Sequence, residues 1–425
     1  MAQPLAGVRI ADFSHVIAGP LATHFLCLLG AEVIKVEPPT GDVLRNYTQR
    51  KELRGMAEPF IGANAGKKSI VLDLKSEFGR EAARALIASS DIMVENFRPG
   101  VIDRLGLGYE SVSKFNPALI FCSISGYGQD GPMRDYPAID QIIQSVSGLM
   151  GLSGEEDSIP MRVGFPIVDT YSALLAAFAI QSAYVQRERD PSRRGQNIDM
   201  SMLDASLVMM ASVINPLVIS GTEPKRTGNR GFSLAPTADT FDTLEDSITI
   251  GAVQQNQYER LCEALERPDL LTDPRFADSE ERMKHDQELQ TELAKTFATK
   301  TALEWEAILS RAGVPAGAVR PLTAVIDLPQ LQGRDLRVDV DVPDGRSLAG
   351  PVIDELVRIP GISTIQEIGV FPFVDLDDVG EKAVQAYAER LKGKTFAVRA
   401  RRHGDHDFRS IDLERSVGAA LLQGS

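Results

Sequence analysis

Apolar and polar positions alternate along the first 200 residues in a repeating order: a short apolar run, then a longer amphipathic one. Residues 8–13 form a short, mainly apolar run, the pattern of a strand buried on both faces. Residues 20–29 carry helical spacing and stop at Gly30, a residue suited to the position after a helix. Residues 31–36 read as the next strand, halted by Pro38 and Pro39. The first forty residues therefore predict one βαβ unit. The pattern recurs, with strands expected over 69–72, 92–95 and 119–123 and a helix over 77–89. Such alternation predicts an α/β fold: a Rossmann-like large domain with a largely parallel sheet and helices on both faces.

A second helical block is expected over 170–187, a polar turn-rich stretch over 188–196, and a largely apolar helix over 199–219. Residues 221–240 are rich in Gly, Pro, Thr and charge and read as a linker. Beyond it, a strand over 247–251 and helices over 257–265, 286–298 and 302–312 predict a smaller α+β domain. A chain of 425 residues exceeds one ordinary core. The expected division is a large domain from 1–220, a linker at 221–240, a small domain at 241–325 and a linker at 326–350. Residues 351–425 are expected to return to the large domain and end in a charged tail.

Charge and composition narrow the class. A net charge of −14, from 59 acidic and 45 basic residues, argues against broad binding to nucleic acid or an anionic membrane. It leaves room for a local basic pocket. Cys27, Cys122 and Cys262 are scattered without metal-ligand spacing, which fits a reduced, cytoplasmic setting. The N-terminus lacks the basic and apolar regions of a secretory signal. The most apolar stretch, 171–185, contains Ser172, Gln181 and Ser182 and falls short of the ~20 residues of a membrane span. The five histidines form no zinc motif, so no metal is expected.

Common nucleotide and hydrolase motifs fail. A G-x-G-x-x-G turn after the first strand is missing, since the chain there reads SHVIAGPLATH. The fragment Gly62-Ala63-Asn64-Ala65-Gly66-Lys67-Lys68-Ser69 resembles a P-loop, but its spacing is off by one and no strand is expected before it. No G-x-S-x-G elbow occurs.

Longer segments carry a resemblance. The opening LAGVRIADFSHVIAGPLATHFLCLLGAEVIKVEPPTGD, the stretches NAGKKSIVLDLKSEFG and ENFRPGVIDRLGLGYE, and the segments VGFPIVDTYSALLAAFAIQSAY, RGQNIDMSMLDASL and GVPAGAVR together resemble the class III coenzyme A transferases. That group includes formyl-CoA transferase and the carnitine CoA-transferases. The resemblance spans roughly residues 5–365. It implies an interlocked homodimer whose large domain binds CoA, which is a substrate; no permanently bound cofactor is implied. It assigns Asp169 as the catalytic carboxylate. It places Leu72, Asp73, Leu74, Lys75, Asn96, Phe97, Arg98 and Arg104 on CoA. Ile17 and Ala18 fall where the family's N-terminal loop nears the thioester, and Asp140 where formyl-CoA transferase has a second acidic residue. That enzyme has glutamine in place of Ile17 and a tetraglycine loop where this chain reads RGFSLAPTADTF. The implied partners are an acyl-CoA, such as succinyl-CoA, and a small carboxylic acid. A related racemase activity would need a proton-transfer group; the related racemases have histidine where this chain has Ile139. A non-catalytic acyl-CoA-binding role is the other alternative.

Physical chemistry adds two readings. CoA carries a 3′-phosphate and a pyrophosphate, so its site needs localised cations. Lys75, Arg98 and Arg104 follow expected strands on the side where open α/β sheets bind ligands. Asp169 directly precedes the expected helix at 170, which makes it a candidate N-cap as well as a candidate nucleophile. A helix N-terminus is expected to favour its ionised form.

Overall fold

The computed structural model describes residues 3–331. The expected linker beyond 331, the returning segment and the charged tail lie outside these residues.

The first half folds as β1 (Arg9–Asp12), α1 (Ala18–Leu28), β2 (Glu32–Glu37), α2 (Glu58–Asn64), β3 (Lys68–Val71), α3 (Glu77–Ala88), β4 (Ile92–Glu95), α4 (Val101–Arg104), α5 (Tyr109–Val112) and β5 (Ile120–Ser125). Then come α6 (Asp140–Val146), α7 (Ile167–Arg189), β6 (Asn197–Ser201), α8 (Met202–Met209) and α9 (Ala211–Ser220). The six strands form one sheet in the order β3-β2-β1-β4-β5-β6. Every neighbouring pair is parallel.

Alternation within the strands builds two cores. Ile10, Val33, Ile92, Val94, Ile120, Cys122 and Ile124 face α1 and α7, whose Ala22, Leu26, Ala173, Ala176 and Ile180 close that side. Ala11, Val36, Met93 and Phe121 face the other way, onto Ala83 and Ile87 of α3, Ile102 and Val112. Both faces are covered, which is why most positions along these strands are apolar.

Two sequence expectations need correction. Residues 197–201, the start of the run expected to be helical from 199, form edge strand β6, paired from Phe121↔Asn197 to Ser125↔Ser201. Its polar Asn197 and Asp199 hide the strand signal, because an edge strand buries little. The helix expected at 170 starts at Ile167.

The second half contains β7 (Thr240–Asp242), β8 (Ser247–Ile250), α10 (Gln255–Ala264), α11 (Asp269–Thr272), α12 (Ser279–Lys284), α13 (Asp286–Phe297), α14 (Ala302–Arg311), β9 (Ala316–Ala318) and α15 (Leu322–Val325). Its three strands are antiparallel, in the order β7-β8-β9. They pack with Tyr258, Leu261, Leu293, Phe297 and Trp305 into a separate core. No single described helix is long and apolar enough to cross a membrane, although α8 and α9, bent by 80°, reach that composition together.

Candidate active site

In an open parallel sheet, ligands bind beyond the carboxyl ends of the strands where the strand order reverses. Here that point lies between β1 and β4, which are neighbours with crossovers leaving in opposite directions. The loops after these two strands are fastened to each other. His15 N–H donates to Asn96 Oδ1 at 2.8 Å, and Asn96 Nδ2 donates to the His15 carbonyl at 2.8 Å. The Phe97 ring meets His15 edge-on, with centroids 5.3 Å apart. Burial, and then the charge of Lys35, hold the His15 pKa below its ordinary value. The next residue, Val16, has φ +66°, a left-handed conformation that a β-branched side chain resists. Its N–H donates to Asp42 Oδ2 at 3.3 Å. The tied loop delivers Ile17 to the N-cap of α1, where no side chain caps the helix.

Beneath the loop lies a buried network of charge. Lys67 Nζ donates to Asp12 Oδ2 at 3.0 Å, Thr23 Oγ1 at 2.8 Å, the Pro20 carbonyl at 2.7 Å and Asn64 Oδ1 at 2.9 Å. Lys35 Nζ donates to the Ser14 carbonyl at 2.8 Å and pairs with Asp42 at 3.0 Å. Burial alone would raise the Asp12 pKa; Lys67, Lys35 and the Ser14 and Thr23 hydroxyls outweigh it and hold the group at about 2. The P-loop-like fragment is thus accounted for, because its Lys67 is committed to a buried ion pair. Arg45 forks onto Glu37 with both bonds at 2.6 Å and covers the Phe60 ring at 3.9 Å.

The residues that the resemblance places on CoA divide by position. Leu72 is buried in the core with Phe13 and Val36, so its backbone alone is available. Leu74 is half-buried against the same cluster. Asp73 accepts the Lys75 N–H at 3.0 Å. Asn96 spends its amide on His15, and Phe97 packs on the same residue. Ala18 is buried in the core that α1 shares with α7. Lys75, Arg98 and Arg104 project into solvent from the loops after β3 and β4 and from the end of α4. With strands ~4.8 Å apart, β3 and β4 are separated by roughly 14 Å along the same sheet edge, a span that suits a long ligand.

Asp169 stands at the third position of α7, and the N-cap is Pro166. The expectation that Asp169 itself caps the helix is therefore corrected. The cap comes from α6. Asp140 Oδ2 accepts the N–H groups of Val168 at 2.8 Å and of Asp169 at 3.1 Å. Gln144, fully buried, donates Nε2–H to Asp140 Oδ1 at 2.5 Å and accepts the Val163 N–H at 2.9 Å. The Asp169 carboxylate is half-buried and has no hydrogen-bond or ion-pair partner among the described residues.

Burial, then the neighbouring charge of Asp140, push Asp169 up from an ordinary 3.8 to about 7. A helix N-terminus favours a carboxylate by only about 0.3–1 kcal/mol, which is too little to prevail. The helix terminus, expected to favour the ionised form, is outweighed, and both forms of Asp169 are populated near neutral pH. Glu95, at the carboxyl end of β4, is also pushed up to about 7, chiefly by burial. Its Oε2 accepts the Phe97 N–H at 2.8 Å and it is shut away from solvent, so it serves the turn. Asp169 alone of the two is both unpartnered and reachable. Such a carboxylate costs stability, and perturbed groups of this kind cluster at functional sites. Sequence reasoning missed Gln144, Lys35, Asp42 and the strained Val16; none carries a spacing signal, because each acts across elements distant in sequence.

A family model described as CoA-transferase family III matches residues 5–360. A THUMP domain model matches residues 373–425, outside the described residues. The acetyl-CoA:oxalate CoA-transferase of Acetobacter aceti is 37% identical over 337 residues, covering 79% of this chain and 85% of the relative. The succinate–glutarate CoA-transferase of Agrobacterium fabrum is 34% identical over 366 residues, covering 82% and 88%. The crystal structure of a CAIB/BAIF family protein from Brucella suis matches with a TM-score of 0.73 at 33% identity, covering 81% of this chain and 94% of that one.

Proposed function

This chain belongs to CoA-transferase family III, and from that premise we propose that Asp169 carries the transfer of CoA covalently. The ionised Asp169 attacks the carbonyl of a donor acyl-CoA. The C–S bond breaks, CoA leaves as thiolate, and a mixed anhydride remains. The thiolate attacks the aspartyl carbonyl, giving an aspartyl-CoA thioester and freeing the donor acid. The acceptor carboxylate attacks that thioester and displaces the thiolate. The thiolate then takes the acceptor's acyl group and restores Asp169. The observation that carries this reading is the unpartnered, half-buried Asp169 carboxylate with its pKa near 7. Its raised basicity makes the ionised form a stronger nucleophile, and binding of the large CoA moiety can supply the orientation. The uncapped first turn of α1, at Ile17 and Ala18, offers backbone N–H groups for the developing oxyanions.

The acids are proposed to be short dicarboxylates, with succinyl-CoA as a donor. The support is that two relatives are named for oxalate and for succinate and glutarate, all dicarboxylic acids. The racemase alternative is disfavoured by Ile139, an exposed aliphatic residue at the N-cap of α6 that cannot carry a proton. We place the active form in a homodimer, supported by exposed apolar side chains on α7 (Leu174, Phe178) and α9 (Val218, Ile219). The test incubates purified protein with a panel of CoA donors and mono- and dicarboxylic acids and follows labelled acids into CoA esters. Hydroxylamine added with donor alone should modify the peptide containing Asp169. Epimerisation of a 2-methylacyl-CoA without any CoA exchange would refute the reading.

A further inference from the structure

Gly100 follows β4 with φ +78°, in the left-handed region. A Cβ built there would lie 3.3 Å from Arg104 Nη1 and 3.4 Å from Arg134 Nη2. The two guanidinium groups, from the end of α4 and the loop between β5 and α6, therefore converge on one point, their nitrogens less than about 7 Å apart. Neither is paired with a carboxylate among the described residues. Arg134 Nε is buried and has no hydrogen-bond partner. Other arginines without a carboxylate, such as Arg226, Arg282 and Arg311, give their donors to backbone carbonyls, whereas the buried Nε of Arg134 has none. Two like charges drawn together with no counter-charge repel, and a buried donor without an acceptor is unfavourable. A bound dianion removes both costs, and a pair of planar guanidinium forks fits phosphate oxygens. Glycine at 100 also leaves the space between the forks open.

We propose that Arg134 is a further CoA-binding residue, closing with Arg104 on one phosphate group of CoA beside Gly100. This rests on the reading of Arg104 as a CoA contact and adds a group from the loop between β5 and α6. The loop reads GPMRDYPAI, where a lone arginine gives no motif.

The test is calorimetric titration of CoA and 3′-dephospho-CoA into wild-type protein, R134Q, R134K, R104Q and the surface control R311Q. Loss of one charge-assisted contact of this kind should weaken CoA binding by roughly 10–100-fold in R134Q. R134K, which keeps the charge without the fork, should fall between R134Q and wild type, and R311Q should match wild type. If R134Q and wild type bind dephospho-CoA equally, Arg134 holds the 3′-phosphate. If R134Q loses as much with dephospho-CoA, it holds the pyrophosphate. Either result supports the assignment. A folded R134Q that binds CoA within twofold of wild type, while R104Q is impaired, overturns it and leaves the CoA site standing. If R104Q also binds normally, the reading of this crevice as the CoA site fails with it.

Discussion

Replacing Asp169 by asparagine should inactivate the protein and stabilise it at once. The carboxylate has no partner to lose, and asparagine keeps the size of the neutral form. A folded-state pKa of about 7 against an ordinary 3.8 means that ionised Asp169 is disfavoured in the folded chain. At about 1.36 kcal/mol per tenfold in the ionisation equilibrium, the full penalty is roughly 4 kcal/mol. Screening at the exposed edge of the group reduces the expected gain to about 1–3 kcal/mol. The sign follows from linkage. Below pH 3.8 both folded and unfolded chains hold the proton, and no penalty exists. It grows as the unfolded chain ionises and is complete above about pH 7. Denaturant midpoints of wild type and D169N should therefore coincide near pH 4 and separate towards pH 8, with the variant more stable. Transfer activity should fall by at least ~10³-fold, because an amide cannot form the anhydride. Mass spectrometry must exclude deamidation, which would regenerate the acid. If Asp169 acted through the backbone of α7 instead, asparagine would leave activity largely intact. An active D169N, or one no more stable than wild type at pH 8, would refute the argument.

Since attack needs the ionised carboxylate, kcat/KM for acyl-CoA should rise with pH to a plateau with a midpoint near 7; a midpoint near 4 would contradict the burial of Asp169. D140N should move that midpoint to lower pH by removing the second cause of the shift. It should also cost about 1–2 kcal/mol, because Gln144 must still accept from Val163 and then faces an amide donor. N96A unpairs both backbone groups of His15 and frees the strained Val16 turn, so chemical unfolding should show a loss of about 1–3 kcal/mol. Sedimentation at micromolar concentration should show a dimer; a folded monomer would exclude the proposed assembly.

Much of the fold is legible because the sheet is parallel and covered. β1, β2, β4 and β5 bury side chains on both faces, so most of their positions are apolar, with Asp12, Lys35, Glu37 and Glu95 the buried charges among them. β6 is hidden because its exposed edge accepts Asn197 and Asp199. The start of α7 is displaced because Pro166 suggests an extended approach, and the cap that fixes the true start comes from Asp140, 28 residues before Val168. The site divides the same way. Asp169 is found by the resemblance, and its local position by the helix that follows. Its raised pKa depends on burial and on Asp140, neither of which spacing encodes. Asn96 and Phe97 are marked in sequence as CoA contacts, and the structure adds that Asn96 also ties the His15 backbone and that Phe97 packs on its ring. That loop-shaping role has no trace in the sequence, because it acts between residues 81 positions apart.

The buried ties among Asp12, Lys67, Lys35 and Asp42 bear on how this protein can change over generations. Removing one member strands its partner's charge, a loss of about 3–5 kcal/mol, against a whole-domain stability of about 5–15 kcal/mol. Drift at these positions must pass through variants close to unfolding, so the floor of the crevice is locked. Ile17 and Arg134 have no such tie and can be exchanged singly. Selection for a different acid or a different hold on CoA therefore has a rim to work on while the ground beneath it stays fixed.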